Sequence, residues 1–293
     1  VKTSKGIIEY TEIGSGPPLL YFHGTGAGND AAVLMERWLI DDGFRLIVPN
    51  RPGYYGTPLS CGRLPEDCAD LAARLLDHLQ IDHVAVIGTS GGGLAAPTFA
   101  ARHPMRTRCL VLQCALSHRF DSAHWMPPSV RQYFPLFYFH RIFQRVLRIG
   151  YQLEMRKVMR TPNYFLNYLC GERSQELCND PSVKSLIPLL VDMEIRCARQ
   201  TAGIVNDWAN DVGKQWLTPD IVHCPTLILH DRMDPLVTIA QVEWARKCIP
   251  HAEYCDLHAG GHLIWVGQDS QRMRQVRGDF LRRHQISTSQ LRC

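Results

Sequence analysis

The chain has 293 residues, 45% of them hydrophobic and 20% charged, an ordinary globular mix with room for one large core or two small ones. Its formal net charge of +4 is too mild for a nucleic-acid groove, which concentrates basic residues on one face. No apolar run reaches the ~18 residues that span a bilayer, and residues 1–6 lack the apolar core of a signal peptide, so a cytoplasmic protein is expected. The 11 cysteines include no C-x-x-C pair, and several, such as Cys109 and Cys114, sit in apolar runs. Their odd number leaves at least one unpaired, and reduced, buried thiols are expected.

In chain order, residues 7–12 predict a first strand and the wholly apolar 18–22 a second. A helix is expected over 31–39 and a strand over 45–48, ended by Pro49. Residues 64–80 form the clearest helix. Pro65 suits its first position, Glu66 and Asp67 complement the dipole, and Cys68, Leu71, Ala72, Leu75 and Leu79 recur on one face. A strand over 83–87, a helix over 92–102 and a strand over 108–113 follow. Over 117–216 the strand signals stop, aromatics crowd in and helical periodicity takes over. Strands over 226–230 and 252–257 and helices over 239–247 and 269–283 restore the alternation.

Continuous apolar strands separated by amphipathic helices indicate an α/β fold, its mostly parallel sheet covered on both faces. The helical block then reads as a lid, 117–216, inserted into one core domain made of 1–116 and 217–293. Within the lid Arg141, Arg145 and Arg148 lie among aromatics. An apolar underside packed on the sheet domain, with the arginines in solvent, accounts for this pattern; a surface that settles on lipid is the alternative. On the closing helix Arg272, Arg274, Arg277, Arg282 and Arg283 read as a solvated face.

Gly88-Thr89-Ser90-Gly91-Gly92 fits the G-x-S-x-G elbow, and it stands where that elbow must, between a strand and a helix. Gly88 and Gly92 remove side chains that would collide on so sharp a turn. The rival reading, a glycine-rich phosphate turn, lacks the G-x-x-x-x-G-K-[ST] pattern. A serine hydroxyl is a poor nucleophile until a base takes its proton and a third group holds that base in the right tautomer. Asp234, on the loop after an apolar strand, is the first candidate for the orienting acid and Asp231 the second. In His258-Ala259-Gly260-Gly261-His262 the base is assigned to His262, with His258 as the alternative. The Gly-Gly pair keeps the two histidines off a shared helical face, so no i, i+4 metal pair is expected. An oxyanion needs preorganised donors, and the N–H groups of Gly91 and Thr25 are expected to supply them. His23 is expected to brace the Thr25 loop and to move no protons.

Five pieces, in this order, resemble the α/β-hydrolase superfamily: His23-Gly24-Thr25-Gly26, Asn50-Arg51-Pro52-Gly53-Tyr54, the serine elbow, residues 230–235, and Gly260-Gly261-His262. The resemblance implies a mostly parallel eight-stranded sheet, an inserted helical cap and no cofactor. The superfamily's carboxylesterase and lipase members imply a small-molecule ester as substrate, and either reading of the lid favours an apolar, uncharged acyl group. Carbon–carbon bond hydrolysis of a diketone is the alternative reaction, suggested by the His-Gly-Thr-Gly-Ala-Gly loop, and a non-catalytic binding member is the alternative class. Asp231-Arg232-Met233-Asp234 departs from the more usual Gly-x-x-Asp, and Tyr54-Tyr55-Gly56 carries an extra tyrosine. Serine at position 90 disfavours the dehalogenase and epoxide-hydrolase branches, which place aspartate there.

Overall fold

A computed structural model of the chain describes residues 1–119, 162–197, 201–212 and 215–285, with isolated positions between 146 and 153. The main sheet is built from β1 (Tyr10–Ile13), β2 (Pro18–Phe22), β3 (Arg45–Pro49), β4 (Val84–Thr89), β5 (Thr107–Gln113), β6 (Thr226–His230) and β7 (Glu253–Asp256). Their spatial order is β1-β3-β2-β4-β5-β6-β7. Only the edge strand β1 runs antiparallel to its neighbour; every other pairing is parallel.

The expected eight strands are thus seven among the described residues. The segment that could have extended the edge folds on itself instead, Lys2–Thr3 pairing with Gly6–Ile7 in a separate ribbon. The predicted strand over 7–12 accordingly splits between that ribbon and β1.

Ten α-helices have both ends among the described residues, which also include isolated helical positions between 146 and 153. The ten are α1 (Asn29–Met35), α2 (Arg37–Asp41), α3 (Pro65–His78), α4 (Ala95–Arg102), α5 (Pro162–Cys170), α6 (Ser174–Leu177), α7 (Pro181–Cys197), α8 (Thr201–Val212), α9 (Ile239–Cys248) and α10 (Ser270–Gln285). None is long and apolar enough to cross a membrane. The described part of the predicted lid contains α5 to α8 and no strand. Arg141, Arg145 and Arg148 lie outside the described residues.

Because strand side chains alternate between faces, one apolar run serves two cores. Leu20, Phe22, Val86 and Leu110 pack with Leu71, Leu75, Phe99 and Val242 of α3, α4 and α9. Leu19, Tyr21, Ile87 and Val111 pack on the opposite face with Leu39, Met273 and Phe280 of α2 and α10. Each such fully buried side chain is worth about 1.5–3 kcal/mol over leaving it exposed. A third cluster joins Phe165, Leu166, Leu190 and Val191 of α5 and α7 to Ala31, Leu263 and Val266. Those last three follow β2 and β7, so the inserted helices rest over the ends of the strands where the loops emerge.

Two expectations need correcting. The helix predicted over 31–39 breaks at Glu36, whose side chain is fully buried. Arg277, read as solvated, is also fully buried, because it points inward to pair with Glu36 at 2.5 Å and with Gln113 Oε1 at 2.7 Å. Helical periodicity places an arginine on a face but does not reveal an acid waiting opposite it. The cysteines with described side chains are free thiols.

Candidate active site

Ser90 follows β4 directly and opens the 3-10 turn Ser90–Gly93 that leads into α4. Its φ of +51° lies in the left-handed region, where a non-glycine residue stores strain of order 1–3 kcal/mol. The flanking glycines are sterically required. A Cβ on Gly88 would lie 2.5 Å from Ala96 Cβ, and one on Gly92 would lie 2.1 Å from the Phe22 carbonyl oxygen. The turn presents the serine hydroxyl above the sheet, half-buried.

His262 arrives from 172 residues away, its Nε2 3.1 Å from Ser90 Oγ. On the other side of the ring Nδ1 lies 2.8 Å from Asp234 Oδ2. Since an ionised carboxylate only accepts, Nδ1 carries the proton and Nε2 is left to accept the Ser90 hydroxyl. Asp234 is itself fixed, because its Oδ1 accepts the N–H groups of Leu236 and Val237 at 2.7 and 2.9 Å. The structure therefore brings Ser90, His262 and Asp234 into one line of hydrogen bonds.

The second-choice acid has a different task. Asp231 is fully buried, and its Oδ2 accepts the N–H groups of Ala259 and Gly261 at 3.0 and 3.1 Å. It holds the backbone of the histidine loop rather than the ring. The same loop is tied to α5, His262 N–H donating to the Leu169 carbonyl at 2.9 Å. His258 is half exposed and its Nε2 accepts from Arg173 Nη1 at 2.7 Å, outside the Ser90 line.

The loop after β2 borders the serine. A Cβ on Gly24 would lie 3.1 Å from Ser90 Cβ, and one on Gly91 would lie 3.0 Å from Thr25 N. The backbones of Thr25 and Gly91 therefore converge beside the hydroxyl. His23 sits behind them, its Nδ1 bonded to the Gly24 carbonyl at 2.9 Å and its Nε2 accepting the Arg51 N–H at 3.0 Å. Burial, assisted by the Arg51 charge, holds His23 well below the usual histidine range. It stays neutral and braces the loop.

Ser90, Thr25 and His262 open onto a cavity whose other described walls are mainly apolar, including Ala31, Met35, Phe165, Leu190, Met193 and Trp265. No Arg, Lys, Asp or Glu side chain is among its described lining. Among the described residues, one group of potential metal ligands lies close together: atoms of Cys114, Asp234 and His262 lie within 4.8 Å of one another. Two of the three are engaged in the Ser90 line. Burial, with Asp234 and Glu36 adding to it, pushes the Cys114 thiol well up and keeps it protonated, a poor state for ligation.

Two buried acids near the site were not singled out by the sequence reading. Glu36 accepts from Gln113, Trp265 and Arg277, and Gln113 also donates to Thr89 Oγ1, the neighbour of Ser90, at 3.1 Å. Asp207, on α8, bonds Arg51, Tyr54 and Thr25. An acid within a helical periodicity carries no local signal of this kind, since its partners lie more than 150 residues upstream.

The family model for the alpha/beta hydrolase fold matches residues 17–267. An alpha/beta hydrolase fold protein from Nakamurella multipartita superposes with a TM-score of 0.77 at 30% identity, covering 96% of this chain and 98% of that one. The uncharacterized hydrolase YcgS of Bacillus subtilis (strain 168) is 28% identical over 281 residues, 94% of this chain and 95% of its own. The poly(3-hydroxyalkanoate) depolymerase of Ectopseudomonas oleovorans is 33% identical over 261 residues, 85% of this chain and 79% of its own. The chain belongs to the α/β hydrolase fold family.

Proposed function

We propose that this protein is a serine hydrolase that cleaves carboxylic esters of apolar, uncharged acyl groups through an acyl-Ser90 intermediate. The observation that carries this reading is the line of hydrogen bonds from Ser90 Oγ through His262 to Asp234, at 3.1 and 2.8 Å. Ser90 Oγ attacks the ester carbonyl as its proton passes to His262 Nε2. The oxyanion accepts from the N–H groups of Thr25 and Gly91. The alcohol leaves with the proton from Nε2. A water, activated by the same nitrogen, then attacks the acyl carbon and frees the serine. Asp234 stabilises the imidazolium at both stages, and this chain's own groups handle every proton and charge.

The acyl preference rests on the mainly apolar wall contributed by α1, α5 and α7, where no Arg, Lys, Asp or Glu is found among the described lining residues to meet a carboxylate. Segment 117–216 would act as the lid, contributing the α5 and α7 side of that wall. The relation to a poly(3-hydroxyalkanoate) depolymerase agrees with ester chemistry.

The test is Ser90→Ala on the full chain, assayed with a short aryl ester and, side by side, a ring-fission dienone. Turnover of the ester should fall by several orders of magnitude with the fold intact, and fluorophosphonate labelling should disappear. Near-normal ester turnover by Ser90→Ala would overturn the reading. Faster wild-type turnover of the dienone than of the ester would move the activity to carbon–carbon bonds.

A further inference from the structure

The loop proposed to supply the second oxyanion donor runs Gly24-Thr25-Gly26-Ala27-Gly28. Glycine leaves the backbone wide conformational freedom, and Gly26 uses it with a φ of +74°. A donor embedded in such a segment needs a restraint from outside. Thr25, flanked by two glycines, has the side chain that could receive one.

That restraint comes from α8. Thr25 Oγ1 donates to Asp207 Oδ2 at 2.8 Å. Tyr54 Oη donates to the same oxygen at 2.7 Å and in turn accepts the Gly26 N–H at 3.3 Å. Arg51 closes the cluster with a two-pronged pair, Nη1 to Oδ1 at 2.7 Å and Nη2 to Oδ2 at 2.6 Å. Asp207 and Arg51 are both buried. Burial opposes the Arg51 charge, but Asp207 and Tyr54 outweigh it and hold the guanidinium more firmly protonated than usual.

The helix bearing Asp207 is seated with little play. A Cβ on Gly203 would lie 2.5 Å from the Tyr54 ring, and one on Gly53 would lie 2.6 Å from Gly203 Cα. Further along α8, the amides of Asn206 and Asn210 both donate to the Arg63 carbonyl at 2.8 and 2.7 Å. A buried ion pair is often no more stabilising than apolar packing of the same volume, so stability alone does not explain a carboxylate here. Its reach to the oxyanion loop does.

We infer that Asp207 is a positioning residue: through the Thr25 hydroxyl it fixes the Thr25 N–H at the oxyanion position, so the site is complete only while α8 is seated on the loop after β3. This rests on the ester-hydrolase reading above. A donor displaced by about 1 Å can cost a hundredfold in rate, and the cost falls on the transition state rather than on substrate binding.

The test uses the full chain and a short aryl ester, with kcat, KM and Tm measured for Thr25→Val, Thr25→Ser, Asp207→Asn and Ser90→Ala. Thr25→Val removes the hydroxyl but leaves Arg51, Tyr54 and Asp207 paired, so it should fold. Its kcat should fall about 10- to 100-fold, with KM nearly unchanged. Thr25→Ser should restore kcat. Asp207→Asn should lower both Tm and kcat, and Thr25→Val should cost little more in that background, since both cut one link. The inference is overturned if Thr25→Val keeps kcat within about twofold of wild type, or if the two losses multiply. The Thr25 pair decides the matter even if Asp207→Asn does not fold. Loss of activity in Ser90→Ala with full activity in Thr25→Val removes only the role of Asp207, whereas an active Ser90→Ala removes the ester-hydrolase reading itself.

Discussion

Replacing Asp234 by Asn changes one atom, and the surroundings dictate which way the new amide must face. Oδ1 of Asp234 accepts two backbone N–H groups, from Leu236 and Val237. An amide nitrogen placed there would set donor against donor, so the carbonyl oxygen of Asn takes that position. The NH2 group is thereby turned toward His262 Nδ1, 2.8 Å from the present carboxylate oxygen. Nδ1 must then accept, the ring proton moves to Nε2, and Nε2 can no longer receive the Ser90 proton across its 3.1 Å contact. In a triad of this kind the wrong tautomer costs about 10⁴ in kcat, or about 5.4 kcal/mol of transition-state stabilisation. Steady-state kinetics on a short aryl ester, with Tm as the control for folding, measures this directly. A folded Asp234→Asn enzyme whose kcat stays within tenfold of wild type would refute the tautomer argument and with it the role given to Asp234.

The remaining predictions concern groups behind the site. Asp231→Asn should cost about 1–3 kcal/mol of stability, because Ala259 and Gly261 lose a shared charged acceptor. Its kcat loss should be far smaller than that of Asp234→Asn; the opposite ranking would exchange the two roles. Glu36→Leu should destabilise by about 3–5 kcal/mol in urea melts, since Arg277 is left buried without a charge partner. Adding Arg277→Leu should recover much of that loss. His230 is buried with neither ring nitrogen partnered among the described residues, and burial holds it below the usual histidine range. The unfolded chain takes up a proton near the ordinary pKa of about 6.5 that the native state resists, so the lowered pKa lends stability that is complete above that pH and lost as pH falls. His230→Leu should make stability between pH 7.5 and 5.5 less steep, by up to about 1.4 kcal/mol per unit; parallel wild-type and variant curves would rule this out.

Much of the α/β architecture was legible because its signals are local. The apolar run at 18–22 and the helix opened by Pro65, with Asp67 accepting the Leu64 N–H at 3.1 Å, are specified by residues within a few positions of one another. The serine elbow is legible for the same reason, a strand, two space-saving glycines and a helix in sequence. The strand count was less so. Whether residues 2–7 join the sheet edge or fold back on themselves depends on competing backbone partners, and side-chain periodicity does not distinguish them.

The choice between Asp231 and Asp234 marks the point where local reading runs out. Both acids leave β6 on one short loop, and both end near the histidine loop. What separates them is where each carboxylate finds donors. Asp231 meets the N–H groups of Ala259 and Gly261, while Asp234, three residues on in the same loop, meets the ring itself. Three-residue spacing turns the second acid toward the His262 ring and the first toward the loop backbone, a difference that exists only once β6 and β7 lie side by side. Asp207 and Glu36 were less visible still. Asp207 lies in α8 and Glu36 at the break between α1 and α2, and each finds its partners on distant segments; a helical stretch that buries an ion looks, in sequence, like one that meets water. The buried acids that hold the site's surroundings together are thus the ones the periodicity conceals, because a buried charge is retained only where a partner of opposite sign or several donors converge on it, and that convergence belongs to the fold.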